Sequence, residues 1–352
     1  MEQISRYGAP ATRLISLLKC LEYPMRNVRA GDKFVILTDD QMDPLIWQAT
    51  MGVLNSRGAE TLLCLYPRRS HHCADPSPLA IGAAKGADVI LALTTTALNS
   101  GTPGLRQLRS EGSGKGKTPV WLFEELNQEI LIDGGGASTA AEVAAMCDIQ
   151  RRVGAIYDNG REIHVTSSSG TDLVADISGY PPGALARRWG ELPFERHPET
   201  GRLGGGTWPF GEVHVEPLPD SANGVVVWDE TAHFPPGQWK KPVRLQIEKG
   251  RVVDISGGHE AREVRGYLER YGDENSWRVG GEIAIGTNRR CLAYTGCMRS
   301  EKKRYGAMHF GIGHGADRGL VNSVLRLEGI VDRVSIVVDG KHTVARDGEI
   351  LV

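Results

Sequence analysis

Three short segments in the second half of this 352-residue chain set metal-ligand side chains beside glycine. They are Phe210-Gly211-Glu212-Val213-His214, Gly280-Gly281-Glu282-Ile283-Ala284-Ile285-Gly286 and Gly306-Ala307-Met308-His309-Phe310-Gly311-Ile312-Gly313-His314. Carboxylate and imidazole supplied by separate strands bind zinc, manganese, cobalt or iron(II). Glycine beside them lets an ion or a substrate approach the backbone. The same residues also suit plainer roles, since a strand glutamate is ordinarily solvated and a histidine beside aromatics is ordinarily structural. The first half offers less. His71-His72-Cys73 holds ligand types, but adjacent loop residues converge poorly on one ion. Gly112 to Lys117 has the composition of a phosphate loop without the GxxxxGK[ST] spacing, and reads as a solvated basic loop. Gly134-Gly135-Gly136 precedes a helix over Ser138 to Ile149. Without a GxGxxG pattern it reads as a helix entry.

The elements that must position these residues differ between the halves. Ala11 to Leu21 carries apolar residues at helical spacing. Lys33 to Thr38, Thr61 to Leu65, Asp88 to Leu93 and Val120 to Phe123 are short apolar runs bounded by turn residues, hence buried strands. Asp43-Pro44 starts a helix that Ser56-Arg57-Gly58 stops. Strands alternating with helices predict an α/β N-terminal domain with a parallel sheet. From Glu162 the pattern becomes strand and turn. Lys249-Gly250 and Asp339-Gly340-Lys341 join paired strands as hairpins, and Glu260 to Tyr271 is helical. Gly and Pro crowd Gly179 to Gly211, which reads as a loop or lid. The second domain is therefore expected to be mainly antiparallel and β-rich (α+β), carrying the metal site. The boundary falls near Tyr157 to Arg161, giving 1–158 and 159–352.

Composition limits the function classes. There are 41 basic and 43 acidic side chains, and the net charge of −2 gives no basic face for nucleic acid. Hydrophobic content of 40% supports sizeable cores. No apolar run reaches the roughly 18 residues of a membrane span, and Met1 to Pro10 lacks a signal peptide's apolar segment. Six scattered cysteines without a CxxC pair read as reduced thiols. A cytoplasmic enzyme acting on a small-molecule or short-peptide substrate is expected, without nucleic-acid or membrane partners.

From Gly211 to the C-terminus the chain resembles the thermophilic aminopeptidase T family of metallopeptidases. The matching segments are Gly211-Glu212-Val213 with Pro217 and Asn223-Gly224, then Arg251 to Ile255 with Gly257-Gly258. Glu282 to Asn288, Met308 to Gly313 and Val338-Asp339-Gly340 follow, and Thr171-Asp172-Leu173 fits the first strand of the region. The resemblance covers most of 162–345; the N-terminal half agrees in kind only. It implies metal-binding glutamates at Glu212 and Glu282, a histidine ligand at His309, and a homo-oligomer.

One segment departs from that family. Its closing His-x-Asp pair is replaced by Arg326-Leu327-Glu328. Arg326 stays protonated and cannot ligate a cation, whereas Glu328 can, so a single or altered metal site is expected in place of a dinuclear one. Arg326 either clamps a substrate carboxylate or pairs with a buried glutamate. The same superfamily contains an iron(II) ring-cleaving enzyme, 2,5-dihydroxypyridine 5,6-dioxygenase, which is closer in length. Its two histidines and aspartate correspond to Glu282, Arg326 and Glu328, so none is kept. The resemblance thus implies metal-assisted hydrolysis of an amide or related C–N bond. Glu212, Glu282, His309 and Glu328 would hold a divalent ion (Zn, Mn, Co or Fe(II)), with His314 in reserve. Glu282 is a ligand or the general base, Arg326 orients an anionic group, and Tyr180 to Trp208 covers the site. The other readings are iron(II)-dependent cleavage of a hydroxylated N-heteroaromatic ring and a ligand-binding scaffold without turnover.

Overall fold

The central strands of the first half, Phe34–Leu37 and Val89–Leu93, are apolar and buried on both faces, as in a parallel sheet with flanking helices, whereas the edge run Glu60–Tyr66 leaves Leu62 and Leu65 half exposed. The computed structural model describes residues 10–98, 102, 104–105, 108, 118–315 and 318–352; the Gly112 to Lys117 loop lies outside them. The chain divides into two units that are not contiguous in sequence: 1–70, 74–140 and 193–210 form one, and 71–73, 141–192 and 211–352 the other. The break is not the one at 158/159 expected from the sequence.

Unit 1 contains α1 (Pro10–Glu22), β1 (Lys33–Asp39), α2 (Pro44–Ser56), β2 (Glu60–Tyr66), α3 (Pro78–Ala84), β3 (Val89–Leu93), β4 (Val120–Leu122) and α4 (Gln128–Ile132). Asp43 caps α2 by accepting from the Leu45 amide, with Pro44 in the first turn. The parallel sheet runs β2-β1-β3-β4 and then takes a fifth strand, β7 (Gly206–Thr207), from the stretch expected to be a lid. Phe194 and Trp208 from that stretch are fully buried, Phe194 against the rings of Trp121 and Phe123. Aromatic burial outweighs the loop-like composition there.

Unit 2 opens with α5 (Ala140–Asn159), whose Val153 and Tyr157 join its core. An eight-stranded antiparallel sheet follows the order β11-β10-β9-β6-β5-β15-β16-β17. Its strands are β5 (Glu162–Thr166), β6 (Asp172–Asp176), β9 (Asn223–Trp228), β10 (Val243–Glu248), β11 (Arg251–Gly257), β15 (Ser335–Val338), β16 (His342–Arg346) and β17 (Glu349–Ile350). Both hairpins expected from sequence form, β10–β11 and β15–β16. Helices α6 (Ala184–Gly190) and α7 (His259–Tyr271) also belong to this unit.

That second sheet carries the chemistry. It has the order β14-β13-β12-β8, all antiparallel, with β8 (Glu212–Val215), β12 (Ile283–Gly286), β13 (Met308–Gly313) and β14 (Arg326–Val331). Val213, Val215, Ile283, Ile285, Met308, Phe310, Ile312, Leu327 and Val331 join residues of the larger sheet in one apolar core. Side chains alternate along a strand, so the intervening residues share the opposite face.

Among the described residues none of the six cysteines forms a disulfide. Among the described residues no helix is long and apolar enough to cross a membrane.

Candidate metal centre

The period of two that buries Val213, Ile283, Phe310 and Leu327 sends Glu212, His214, Glu282, His309, Arg326 and Glu328 to the other face of the four-stranded sheet. Register brings them together. Ala284 pairs with both His214 and His309, Gly286 with Glu212, Gly311 with Glu328 and Gly313 with Arg326. The long polar side chains therefore lie over a floor of alanine and glycine. The Gly311 amide donates to the Glu282 carbonyl at 2.9 Å, which fixes that carboxylate across from Glu328. A short helix, α8 (Met298–Glu301), and the turn after it add Arg299, Lys302 and Lys303, all buried.

Glu282 is the hub. Its two oxygens lie 2.9 Å from His309 Nε2 and His214 Nδ1 respectively, and Arg326 Nη2 reaches the oxygen that His309 contacts. Arg326 Nε donates to Glu328 Oε1 at 2.5 Å, and Lys302 Nζ lies 3.2 Å from Glu328 Oε2. His233 Nε2 is 3.7 Å from that same oxygen. Glu212 Oε2 is paired with Lys303 and stands 3.7 Å from His309 Nε2.

The electrostatics follow from this pairing. Burial pushes the Glu282 carboxyl up, but the Arg326 guanidinium, then His214, outweigh it and hold the group well below the usual carboxylate range. At Glu328 burial is likewise overcome, by Lys302 and Arg326. Glu212 is brought down to about 2 against burial by Lys303 and His309. Burial lowers Lys303 to about 8, partly offset by Glu212, and drives His233 well below its ordinary value.

Glu282, His309 and Glu328 each offer a ligand atom within 4.8 Å of the other two. Two carboxylates and one imidazole match the donor types that hold Zn, Mn, Co or Fe(II), so these residues fit a divalent ion. Glu212 lies outside this group. Arg326 is 3% exposed and lies between Glu282 and Glu328, paired with both. His314 is buried beyond the end of β13 and is not in the group either. The residues of 71–73 take separate partners. His71 stacks on Tyr271 and His72 on His233, while the Cys73 thiol lies 3.6 Å from the Arg326 carbonyl.

Sequence reasoning did not single out His214, His233, Lys302 or Lys303 for this centre. Glu-Val-His alternation in β8 was the available signal for His214. The run Glu301-Lys302-Lys303-Arg304 has the composition of a solvated turn and gave none. Of the stretch expected to cover the site, Trp189 Nε1 donates to the His214 carbonyl at 3.1 Å and its ring meets the imidazole edge-on. Pro193–Phe210 instead belongs to unit 1.

Residues 141–313 match the family described as NicX: 2,5-dihydroxypyridine 5,6-dioxygenase. The match includes Glu212, Glu282 and His309 and stops before Arg326 and Glu328. A 2,5-dihydroxypyridine 5,6-dioxygenase of Pseudomonas putida KT2440 is 31% identical over 137 residues, which span 38% of this chain and only 36% of that relative. A solved structure of 2,5-dihydroxypyridine dioxygenase from Pseudomonas putida KT2440 superposes with a TM-score of 0.70 at 20% identity, covering 98% of both chains. Wild-type AmpT from Thermus thermophilus gives 0.63 at 15% identity, covering 98% of this chain and 100% of its own. The chain thus shares its fold with both solved proteins, and in sequence its central segment is similar to the dioxygenase family.

Proposed function

We propose that this protein is a metal-dependent, ring-cleaving oxygenase of a hydroxylated N-heteroaromatic, with iron(II) held by Glu282, His309 and Glu328. The observation that carries the metal is the convergence of those three buried side chains on one face of the small sheet. The oxygenase reaction is supported by the similarity of residues 141–313 to the dioxygenase family. Bound iron(II) would supply coordination sites that bring dioxygen and an electron-rich ring together, the electrons that reduce dioxygen coming from the ring as it is cleaved. The protein's own part is positional. Arg326 fixes both carboxylates, and His214 orients Glu282.

Metal-assisted hydrolysis is the second reading, favoured by the donor set, since two carboxylates with one imidazole suit a Lewis acid. Its weak point is the base. Glu282 is held well below the usual carboxylate range and its oxygens already face His309, His214 and Arg326, which makes it a poor proton acceptor near neutral pH.

Elemental analysis of the purified protein beside Glu282→Ala and His309→Ala tests the centre; about one ion per chain, lost in both variants, is expected. Oxygen uptake is then followed with 2,5-dihydroxypyridine and other hydroxypyridines on iron(II)-loaded protein, in parallel with release of amine from a dipeptide and amide panel. Oxygen consumption that needs iron supports the proposal. Metal-dependent amide cleavage without oxygen uptake replaces it with the second reading, and no bound metal under any loading condition removes both.

A further inference from the structure

Strand register puts three carboxylates in one line across the small sheet. Val215 pairs with Ile283, and one step along that register stand Glu216, just beyond β8, and Glu282, just before β12. The Gly311 amide donates to the Glu282 carbonyl, and Gly311 pairs with Glu328 of β14. Glu216, Glu282, Gly311 and Glu328 therefore form a row, with about 4.8 Å between neighbouring strands. Gly313, the β13 partner of Arg326, is also without a side chain. The arginine can thus reach from β14 across β13 to Glu282. Its Nε donates to Glu328 Oε1 at 2.5 Å on the way. Glu216, the third carboxylate, is buried, and its Oε2 accepts from the Arg318 amide at 2.8 Å. Burial lowers the Arg326 pKa, but Glu282, Glu328 and then Glu216 hold it well above the ordinary value.

An ion shared by Glu282, His309 and Glu328 takes an oxygen from each carboxylate. Glu282 Oε1 faces His309 Nε2 at 2.9 Å and carries the guanidinium, while its Oε2 faces His214. Glu328 has Oε1 on Arg326 and Oε2 3.2 Å from Lys302 Nζ. A guanidinium and a divalent cation repel at such distances, so the ion and Arg326 compete for the same oxygens. Because Arg326 spans both carboxylates, movement of this one side chain uncovers an oxygen on each. A guanidinium that leaves them needs another buried anion, since an uncompensated buried charge is strongly destabilising. Glu216 is that anion, one strand beyond Glu282 in the row.

We propose that Arg326 is a movable counter-ion: it holds Glu282 and Glu328 in the folded chain and shifts to Glu216 when a divalent ion takes them. This rests on the metal reading above and concerns how the centre admits its ion, not the reaction. Arg326 and Glu216 are positioning residues, acting on the ion through Glu282 and Glu328.

The test is the Mn(II) affinity of metal-free protein, titrated by electron paramagnetic resonance, with circular dichroism confirming the native fold. Arg326→Met is expected to bind Mn(II) about ten-fold more tightly than wild type, because no guanidinium has to leave. Glu216→Gln is expected to bind about ten-fold more weakly in the wild-type background, yet to change affinity less than about two-fold in the Arg326→Met background. An equal loss in both backgrounds would mean that Glu216 acts on the ion by charge alone, and it overturns the proposal. A folded Arg326→Met protein that binds no more tightly than wild type overturns it too. Should Arg326→Met not fold, Arg326→Gln takes its place, keeping a polar end beside both carboxylates. If neither folds, Glu216→Gln by itself still decides, since an unchanged Mn(II) affinity refutes the shift. Absence of Mn(II) binding from wild type and every variant overturns the metal reading itself, a result distinct from a wrong role for Arg326.

Discussion

Arg326 shows what one residue type decides at this centre. Its guanidinium is bonded to two buried carboxylates, which hold its own pKa well above the ordinary value against burial. Removing one member of a buried charge set leaves its partners uncompensated, a cost of about 3–5 kcal/mol. Arg326→Met is therefore expected to lose about that much stability in urea denaturation, and a loss near zero would mean the pairing is not maintained in solution. Glu212 gives a pH dependence. Its carboxyl is depressed from 4.5 to about 2 in the folded protein. Its contribution is thus complete above the unfolded value and disappears as pH falls from about 4.5 toward about 2, amounting to about 3 kcal/mol by linkage. Glu212→Gln should show a shallower acid loss than wild type in urea midpoints measured across that window. The residue types Glu212, Glu282, His309 and Glu328 were readable from sequence. Arg326 as a partner was one of two readings the sequence left open; Lys302 and Lys303 were not readable, because nothing in a lysine pair records whether it faces water or a carboxylate.

At the scale of elements, the four-stranded sheet sorts its residues by strand alternation, so apolar positions and chemical positions never compete. This sorting was legible: Glu-Val-His, Glu-Ile-Ala and Met-His-Phe each alternate on the page, and the hairpins at Lys249-Gly250 and Asp339-Gly340 formed where turn chemistry placed them. Which strand neighbours which was not legible, since register is set by contacts distant in sequence. Gly329 illustrates the fit that results. It lies between Glu328 and Ile330 in β14, and an added Cβ would sit 2.2 Å from the Trp228 ring. Overpacking of this kind costs about 1–3 kcal/mol. Gly329→Ala is expected to lower the urea midpoint accordingly while keeping the far-ultraviolet circular dichroism of the native fold; an unchanged midpoint would show that Trp228 has room to move.

At the scale of the whole molecule, the chain passes repeatedly between its two units. Residues 193–210 return to unit 1 after α5, β5, β6 and α6 have been laid down in unit 2. They bring β7, and Trp121 Nε1 donates to the Gly204 carbonyl at 2.8 Å. A fragment ending at residue 158 lacks Phe194 and Trp208, and its Trp121 fluorescence is expected to show no cooperative urea transition. In the full chain Phe194→Ala should cost about 3–5 kcal/mol; a neutral effect would mean that the segment only rests on unit 1. The two units do not follow a division at 158/159, because a sequence boundary assumes that a domain is one continuous stretch.

What the sequence determined by itself is local. Apolar period, caps and turns depend on residues a few positions apart, and they fixed the α/β first half, the β-rich second half and the ligand types held on alternate strand positions. Tertiary structure decided which side chains meet. Arg326 lies between Glu282 and Glu328, Lys303 sits on Glu212, and Gly206–Thr207 extends a sheet begun at residue 33. Those choices rest on charge pairing and close packing between residues far apart in the chain, and such forces act only once the backbone has brought the groups within a few ångströms.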